Sequence, residues 1–216
     1  MFVDLISMLR CVRAHEESWL VAAAYRTTGR HIVEGALGCP VCHAEYPVAA
    51  GIADFAGGAA RAAPAPDPSD PRETDEDAMR AAALLHLIDV RAPVLLAGRW
   101  GTLGERLADL APASYLVLDP VRPPAVREEL SALRATGTVP VAAGALHAVA
   151  LDAATARDPG TVAGAVRTLR ARGRLVAPAW LPLPAECTEL ARDVRHWVAE
   201  RDAPPSAPVR LELGRR

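Results

Sequence analysis

Short apolar runs alternate with helical patterns over the last two thirds of the chain. The runs have strand length and lie at residues 93–98, 115–119, 138–144, 147–152 and 173–179. Apolar residues recur at helical spacing in residues 104–111, 125–135, 160–172 and 186–201, and a further helix is predicted to start at the Thr74 cap and run to residue 88. Strands apolar on both faces that alternate with helices indicate a parallel sheet covered on both sides. The predicted fold class is α/β, a Rossmann-like, mostly parallel, doubly wound sheet whose ligands lie at the carboxyl ends of its strands.

The first 56 residues follow a different pattern. Residues 18–25 and 31–38 are strand-like and flank the sequence R-T-T-G-R, so they predict a β-hairpin with its turn at Thr28-Gly29. Two candidate ligand pairs lie on either side of this hairpin, Cys11 with His15 and Cys39 with Cys42. This arrangement predicts a small zinc-ribbon domain.

The segment from Gly57 to Asp77 is rich in proline and acidic residues and holds almost nothing large and apolar. Such a composition predicts a mobile linker. The predicted domains are therefore a zinc ribbon at residues 1–56, a flexible linker at 57–73 and a Rossmann domain at 74–216. After the last helical pattern, only the sequence PVRLELGRR predicts one more strand.

The two ligand pairs predict one tetrahedral zinc site. Cysteine thiolates and a histidine nitrogen suit a structural zinc ion, and the hairpin can bring Cys11, His15, Cys39 and Cys42 together. A unit of this size has little core, so the metal would supply much of its folding free energy. Two alternatives stay open, because His43 could replace His15 and the site could have lost its metal.

The overall composition is that of a soluble globular protein, with 51% apolar and 23% charged residues. The formal net charge of −2 gives no overall attraction for nucleic acid. Asp4 precedes any apolar run long enough for a signal peptide, and no run approaches the ~20 apolar residues of a membrane span. We therefore expect a cytoplasmic protein whose four cysteines are metal ligands or inert thiols rather than disulfides.

The N-terminal unit resembles the short zinc-ribbon proteins that activate transfer-RNA and protein methyltransferases. The resemblance covers roughly residues 1–55 and rests on the opening helix DLISMLRC, the pair CPVC and the following AEYPVAAGIADF. His15 departs from the usual pattern, which has a second cysteine there. The resemblance implies a structural zinc ion and a methyltransferase partner bound through an exposed apolar surface.

The C-terminal unit resembles class I S-adenosylmethionine-dependent methyltransferases over about residues 74–181. The sequence VLLAGRWGTLGERLADLAPASYLVLDP, residues 94–120, is similar to their first strand, glycine loop, helix and second strand. HAVALDAAT and TLRARGRLVAPA resemble the fourth strand and the turn into the fifth. The resemblance implies S-adenosylmethionine binding by Gly98, Gly101, Thr102 and the ribose-binding acid Asp119. It also implies a closing hairpin of two strands, of which the sequence pattern predicts only one.

The cofactor loop departs from the family pattern. The first acidic residue is replaced by Ala97, and two of the three glycines are replaced by Arg99 and Leu103. No catalytic residue stands out, since Asp152 at a strand end is more typical of a turn cap. The sequence favours a zinc-binding pseudo-methyltransferase that serves as an accessory platform for a protein partner. The alternative is an active S-adenosylmethionine-dependent methyltransferase of unknown acceptor.

Overall fold

The computed structural model describes residues 1–58, 65–88 and 92–203. Eleven strands are described: β1 Val21–Thr28, β2 His31–Gly38, β3 Glu45–Ala49, β4 Ile52–Asp54, β5 Val94–Ala97, β6 Tyr115–Leu118, β7 Leu130–Arg134, β8 Leu146–Ala150, β9 Leu169–Pro178, β10 Cys187–Arg192 and β11 His196–Arg201. The α-helices in these ranges are α1 Val3–Ile6, α2 Asp75–Leu84, α3 Gly104–Leu110 and α4 Pro159–Thr168. In this part of the chain, no helix is long and apolar enough to cross a membrane.

All eleven strands belong to one sheet with the order β1-β2-β3-β4-β7-β6-β5-β8-β9-β11-β10. Neighbours from β4 to β9 pair in parallel, and the outer strands on both sides pair antiparallel. This arrangement confirms a mixed α/β sheet with a parallel centre. The strand-length runs at 93–98, 115–119, 147–152 and 173–179 correspond to β5, β6, β8 and β9.

Successive residues of a strand point to opposite sides of the sheet, and in the central strands both sides are apolar. Helices cover both of these faces. Leu96 and Val117 belong to one buried cluster, which also contains Leu107 of α3 and residues of α2. Leu95 belongs to the other, together with Ala165 of α4 and the apolar residues of the N-terminal hairpin. The strands therefore have no polar face, in agreement with their continuous apolar sequences.

The N-terminal unit continues the central sheet through β4, which pairs in parallel with β7. Side chains reinforce this junction: the Phe2 N–H donates to Ser131 Oγ at 2.8 Å, and His31 Nε2 lies 3.0 Å from the Leu130 carbonyl oxygen. The domain boundaries at residues 56 and 73 stay a prediction. Residues 59–64 of the predicted linker and the predicted strand at 208–216 lie outside the described residues.

The helix predicted at residues 125–135 is wrong, because the chain forms β7 there. Val126, Leu130 and Leu133 have helical spacing, but Leu130 packs on one face of the sheet and Leu133 on the other. A strand buried on both faces carries a continuous apolar run, and a short run of this kind cannot be distinguished from a helix by period. The strand predicted at 138–144 is also absent from the described structure, apart from an isolated bridge between Leu9 and Val141.

The helix predicted at residues 186–201 is wrong as well, because β10 and β11 form an antiparallel hairpin. Asp193 builds its turn by accepting hydrogen bonds from the backbone N–H groups of Arg195 at 2.7 Å and His196 at 2.8 Å. Val194 at the tip is 96% exposed, although a helical pattern would place it on the buried face. The sequence pattern missed this hairpin.

Candidate functional site

The hairpin of β1 and β2 brings together the four predicted metal ligands. Cys11 and His15 lie in the segment before β1, and Cys39 and Cys42 lie in the turn between β2 and β3. The Sγ atoms of the three cysteines and a ring nitrogen of His15 all lie within 4.8 Å of one another. Among the described residues, this group contains His15 and not His43, which is exposed in a left-handed backbone conformation with φ of 59°.

The spacing of the donor atoms fits a tetrahedral ion. Cys11 Sγ lies 3.6 Å from Cys42 Sγ, and His15 Nε2 lies 3.1 Å from Cys11 Sγ and 3.5 Å from Cys39 Sγ. Zinc–sulfur bonds of about 2.3 Å in a tetrahedron place two sulfur atoms about 3.8 Å apart. Three soft thiolates and one imidazole also form a donor set that binds zinc in preference to hard cations, which favour oxygen ligands.

Neighbouring groups orient these ligands. His15 Nδ1 lies 2.6 Å from the Glu16 carbonyl oxygen. Because a carbonyl can only accept, Nδ1 carries the proton and Nε2 presents its lone pair to the other ligands. The Tyr46 hydroxyl accepts from the Val12 N–H at 3.3 Å and lies 3.1 Å from Cys11 Sγ, so its proton is directed to that sulfur.

The two buried cysteines differ in their acidity. Burial opposes ionisation of Cys39, but hydrogen bonds from the backbone N–H groups of Cys42 and Val41 outweigh it and lower the pKa to about 6. Burial instead raises the pKa of Cys187, which lies outside the cluster, to about 11. Only thiolates ligate metals, so Cys39 is prepared for coordination and Cys187 is an inert packed thiol.

The predicted cofactor residues lie at the carboxyl ends of β5 and β6. These strands are neighbours, with Ala97 opposite Leu118, so Gly98 and Asp119 follow adjacent strand ends. The Thr102 hydroxyl donates to the Arg99 carbonyl oxygen at 2.8 Å. The Asp119 carboxylate accepts from the Ala135 N–H at 3.2 Å. The predicted cofactor residues therefore lie together at one edge of the sheet.

The two glycines serve packing within the chain. A Cβ atom at Gly98, whose φ is 57°, would overlap the carboxylate of Asp152, and one at Gly101 would overlap Val117. Asp152 itself accepts from the Arg99 N–H at 2.9 Å and from the Thr155 N–H at 2.8 Å. The space that these glycines leave is thus filled by the protein, and Asp152 acts as a turn cap.

Large side chains occupy the same edge. Trp100 is 2% exposed, donates from Nε1 to the Leu151 carbonyl oxygen at 3.1 Å, and lies with its ring centroid 5.2 Å from that of His196. Both rings lie beyond the ends of central strands, because His196 opens β11 beside the end of β9. Trp100 is therefore packed into this edge of the sheet.

Residues of the predicted linker cover this edge. Asp70 is 8% exposed, and its Oδ2 lies 3.3 Å from Arg99 Nε, while its Oδ1 accepts from the Ala153 N–H at 3.2 Å. We call Asp67–Asp70 the cover segment, since it connects the loops that follow β5 and β8. Sequence reasoning missed it, although D-P-S-D is a turn signal.

The contribution of His196 to the stability of the fold depends on pH. Burial lowers its pKa to about 4, below the ~6.5 of an exposed histidine. The folded state therefore binds fewer protons than the unfolded state between these values, so this contribution to stability is present above pH ~6.5 and is lost as the pH falls towards ~4.

Between pH 6.5 and 4, we expect the unfolding free energy of His196→Gln to fall less than that of wild type. The difference should be about 1–2 kcal/mol after allowing for solvent screening. Urea titrations at several pH values measure it, with the exposed residue His86 changed to asparagine as the control. Parallel curves for wild type and His196→Gln would contradict the expectation.

No protein-family model and no curated protein sequence matches the chain. Solved structures similar to it include the antibiotic-resistance methyltransferase Kmr, with a TM-score of 0.42, 18% identity and coverage of 61% of this chain and 94% of that one. A methyltransferase from Geobacter sulfurreducens has a TM-score of 0.39 and 11% identity, covering 65% and 91%. The T. thermophilus 16S rRNA methyltransferase RsmC has a TM-score of 0.36 and 15% identity, covering 86% of this chain and 46% of that one. Likenesses at these scores say nothing about ligand or activity.

Proposed function

We propose that the chain is a zinc-binding pseudo-methyltransferase that serves as an accessory platform for a protein partner in the cytoplasm. The observation that carries this proposal is the occupied carboxyl edge of the sheet. Trp100, Arg99 and the cover segment pack together there, which supports the proposal that this edge leaves no room for a cofactor. Cofactor binding would require breaking buried contacts that the apo protein already satisfies, and this cost would weaken binding.

The zinc ribbon is the second part of the proposal. Its support is the donor set of Cys11, His15, Cys39 and Cys42 and the hydrogen bonds that orient it. Bound zinc would supply a structural cross-link rather than chemistry, since four protein ligands leave no position for a substrate. The ribbon would in turn fix β4 against β7, so the metal would support the sheet on which a partner docks.

The alternative function is an active S-adenosylmethionine-dependent methyltransferase. Asp119 follows β6 as the ribose-binding acid would, and methyl transfer needs mainly alignment of donor and acceptor. For this function, Trp100 and the cover segment would have to move away from the edge. The platform requires no such rearrangement.

Purification of a tagged chain from its own host separates the two functions. The platform predicts a stoichiometric protein partner that Asp119→Ala retains and Cys39→Ala loses, because the first change touches only the cofactor edge and the second removes a metal ligand. A wild-type chain that purifies alone would contradict the platform. So would loss of the partner on Asp119→Ala.

A further inference from the structure

The three cysteines of the metal-ligand group differ in exposure. Cys42 is exposed, Cys11 is partly buried, and Cys39 is only 2% exposed. The backbone of Cys39 is also fixed on both sides, because its N–H donates to the Ala44 carbonyl oxygen at 2.9 Å and its carbonyl oxygen accepts from the His43 N–H at 3.0 Å. A dissolved oxidant therefore reaches Cys42 most easily and Cys39 least easily.

The sulfur atoms of Cys11 and Cys42 are close neighbours. They lie 3.6 Å apart, whereas the sulfur atoms of a disulfide bond are about 2.05 Å apart. Cys11 lies in the irregular segment before β1, and Cys42 lies in the turn between β2 and β3, so neither residue belongs to a strand or a helix. A movement of about 1.5 Å between these two loops brings the sulfur atoms to bonding distance and leaves the sheet intact.

Hydrogen bonds shield the sulfur of Cys11. It lies 3.1 Å from the Tyr46 hydroxyl, which donates to it, and it accepts from the Arg13 N–H at 3.5 Å. Donors that occupy the lone pairs of a thiolate reduce its nucleophilicity. Together with the difference in exposure, this makes Cys42 the residue that an oxidant attacks first and Cys11 the residue that resolves the product.

We infer that Cys11 and Cys42 form a disulfide bond when a peroxide oxidises the metal-ligand group. The inference rests on the zinc ribbon of the proposed function, because zinc ligation keeps both residues as thiolates. The Cys42 thiolate attacks one oxygen of hydrogen peroxide, which breaks the O–O bond, forms the sulfenic acid of Cys42 and releases one hydroxide ion. The Cys11 thiolate then attacks that sulfur and displaces a second hydroxide ion. Two thiolates are thus oxidised to one disulfide, and one peroxide is reduced to two hydroxide ions.

The disulfide removes two of the four zinc ligands. Only thiolates ligate zinc, so His15 and Cys39 alone remain, which is too few for a structural site. Without zinc, the ribbon no longer fixes β4 against β7, and the platform loses its partner. Thiol–disulfide exchange with a dithiol reductant restores both thiolates, so the modification is reversible.

Peptide mapping of the whole chain tests the pairing. A zinc-loaded sample is treated with hydrogen peroxide, unfolded, alkylated at its remaining thiols and cut with trypsin without reduction. Cleavage after arginine places Cys11 on peptide 11–13 and both Cys39 and Cys42 on peptide 31–61. We expect the two peptides to be joined, with fragmentation locating the bond at Cys42. A chelating dye should detect the release of about one zinc ion per chain.

The buried thiol of Cys187 is the internal control. It lies outside the metal-ligand group and should be recovered as a free, alkylated thiol in the same digest. Oxidation of Cys187 to the same extent as Cys42 contradicts a selective reaction at the group.

The variant Cys42→His tests whether the sulfur of Cys42 is the reacting atom. An imidazole can replace a thiolate as a zinc ligand, so this variant keeps four donor atoms and lacks the sulfur. Peroxide should release its zinc at least about tenfold more slowly than that of wild type. Cys187→Ala is the matched control and should release zinc at the wild-type rate. If Cys42→His does not bind zinc, the peptide map of wild type decides alone.

Three results would overturn the inference. The first is a bond between Cys39 and Cys42, which leaves peptide 31–61 unjoined, or one between Cys11 and Cys39. The second is zinc release without any disulfide, and the third is release from zinc-loaded Cys42→His at the wild-type rate. A wild-type chain without zinc before oxidation contradicts the proposed zinc ribbon instead, and a Cys11–Cys42 bond in that sample still supports the pairing.

Discussion

Replacing Cys39 with alanine is expected to release the zinc ion and unfold the N-terminal ribbon. Cys39 is buried and supplies one of four donor atoms that lie within 4.8 Å of one another. Zinc bound to small domains contributes ~10 kcal/mol or more to their apparent folding free energy, and three remaining ligands retain only part of it. We expect a loss of several kcal/mol, larger than the 2–5 kcal/mol of most buried truncations.

Cys187→Ala is the matched control, because Cys187 is also a buried cysteine but lies outside the metal group. Mass spectrometry of the metal content should give about one zinc per chain for wild type and Cys187→Ala, and almost none for Cys39→Ala. Urea unfolding of the same three proteins gives the stability change. Absence of zinc from wild type, or equal zinc in Cys39→Ala, would contradict the metal site.

Most of the central fold could be predicted because its strands are short, apolar and separated by turn signals. Thr74 caps α2 through its hydroxyl, which accepts from the Asp77 N–H at 3.1 Å, as the sequence indicated. The two wrong helix predictions have one physical cause. In β7 and in the hairpin of β10 and β11, apolar residues happen to recur at helical spacing, and only tertiary contacts decide in favour of strands.

The metal-ligand group and the predicted cofactor residues could be predicted from the sequence to different degrees. Metal ligands follow from residue type and spacing, and the structure brings the four together. The sequence indicated that the predicted cofactor residues share one edge of the sheet, but not which other side chains pack against that edge. Asp70 lies in a segment that the composition marked as linker, and its contact with Arg99 joins residues that are 29 positions apart in the sequence. A sequence pattern over neighbouring residues cannot predict a contact between residues so far apart.

We expect S-adenosylmethionine to bind no more tightly than about millimolar. The chain replaces the first acidic residue by Ala97, and losing one or two hydrogen bonds to charged groups costs roughly 1.5–3 kcal/mol each. Displacing buried Trp100 and the Arg99–Asp70 ion pair adds to this cost. About 4 kcal/mol in total is enough to weaken a micromolar ligand to millimolar.

Calorimetric titration with S-adenosylmethionine and S-adenosylhomocysteine tests the occupied edge most directly. Wild type should give no binding heat at ~1 mM ligand, in a zinc-loaded sample whose folding has been verified. Asp119→Ala is the control for site specificity, because it removes the carboxylate that the methyltransferase resemblance assigns to the ribose without touching Trp100 or the cover segment. Micromolar binding by wild type that disappears in Asp119→Ala would contradict the pseudo-methyltransferase and establish a working cofactor site.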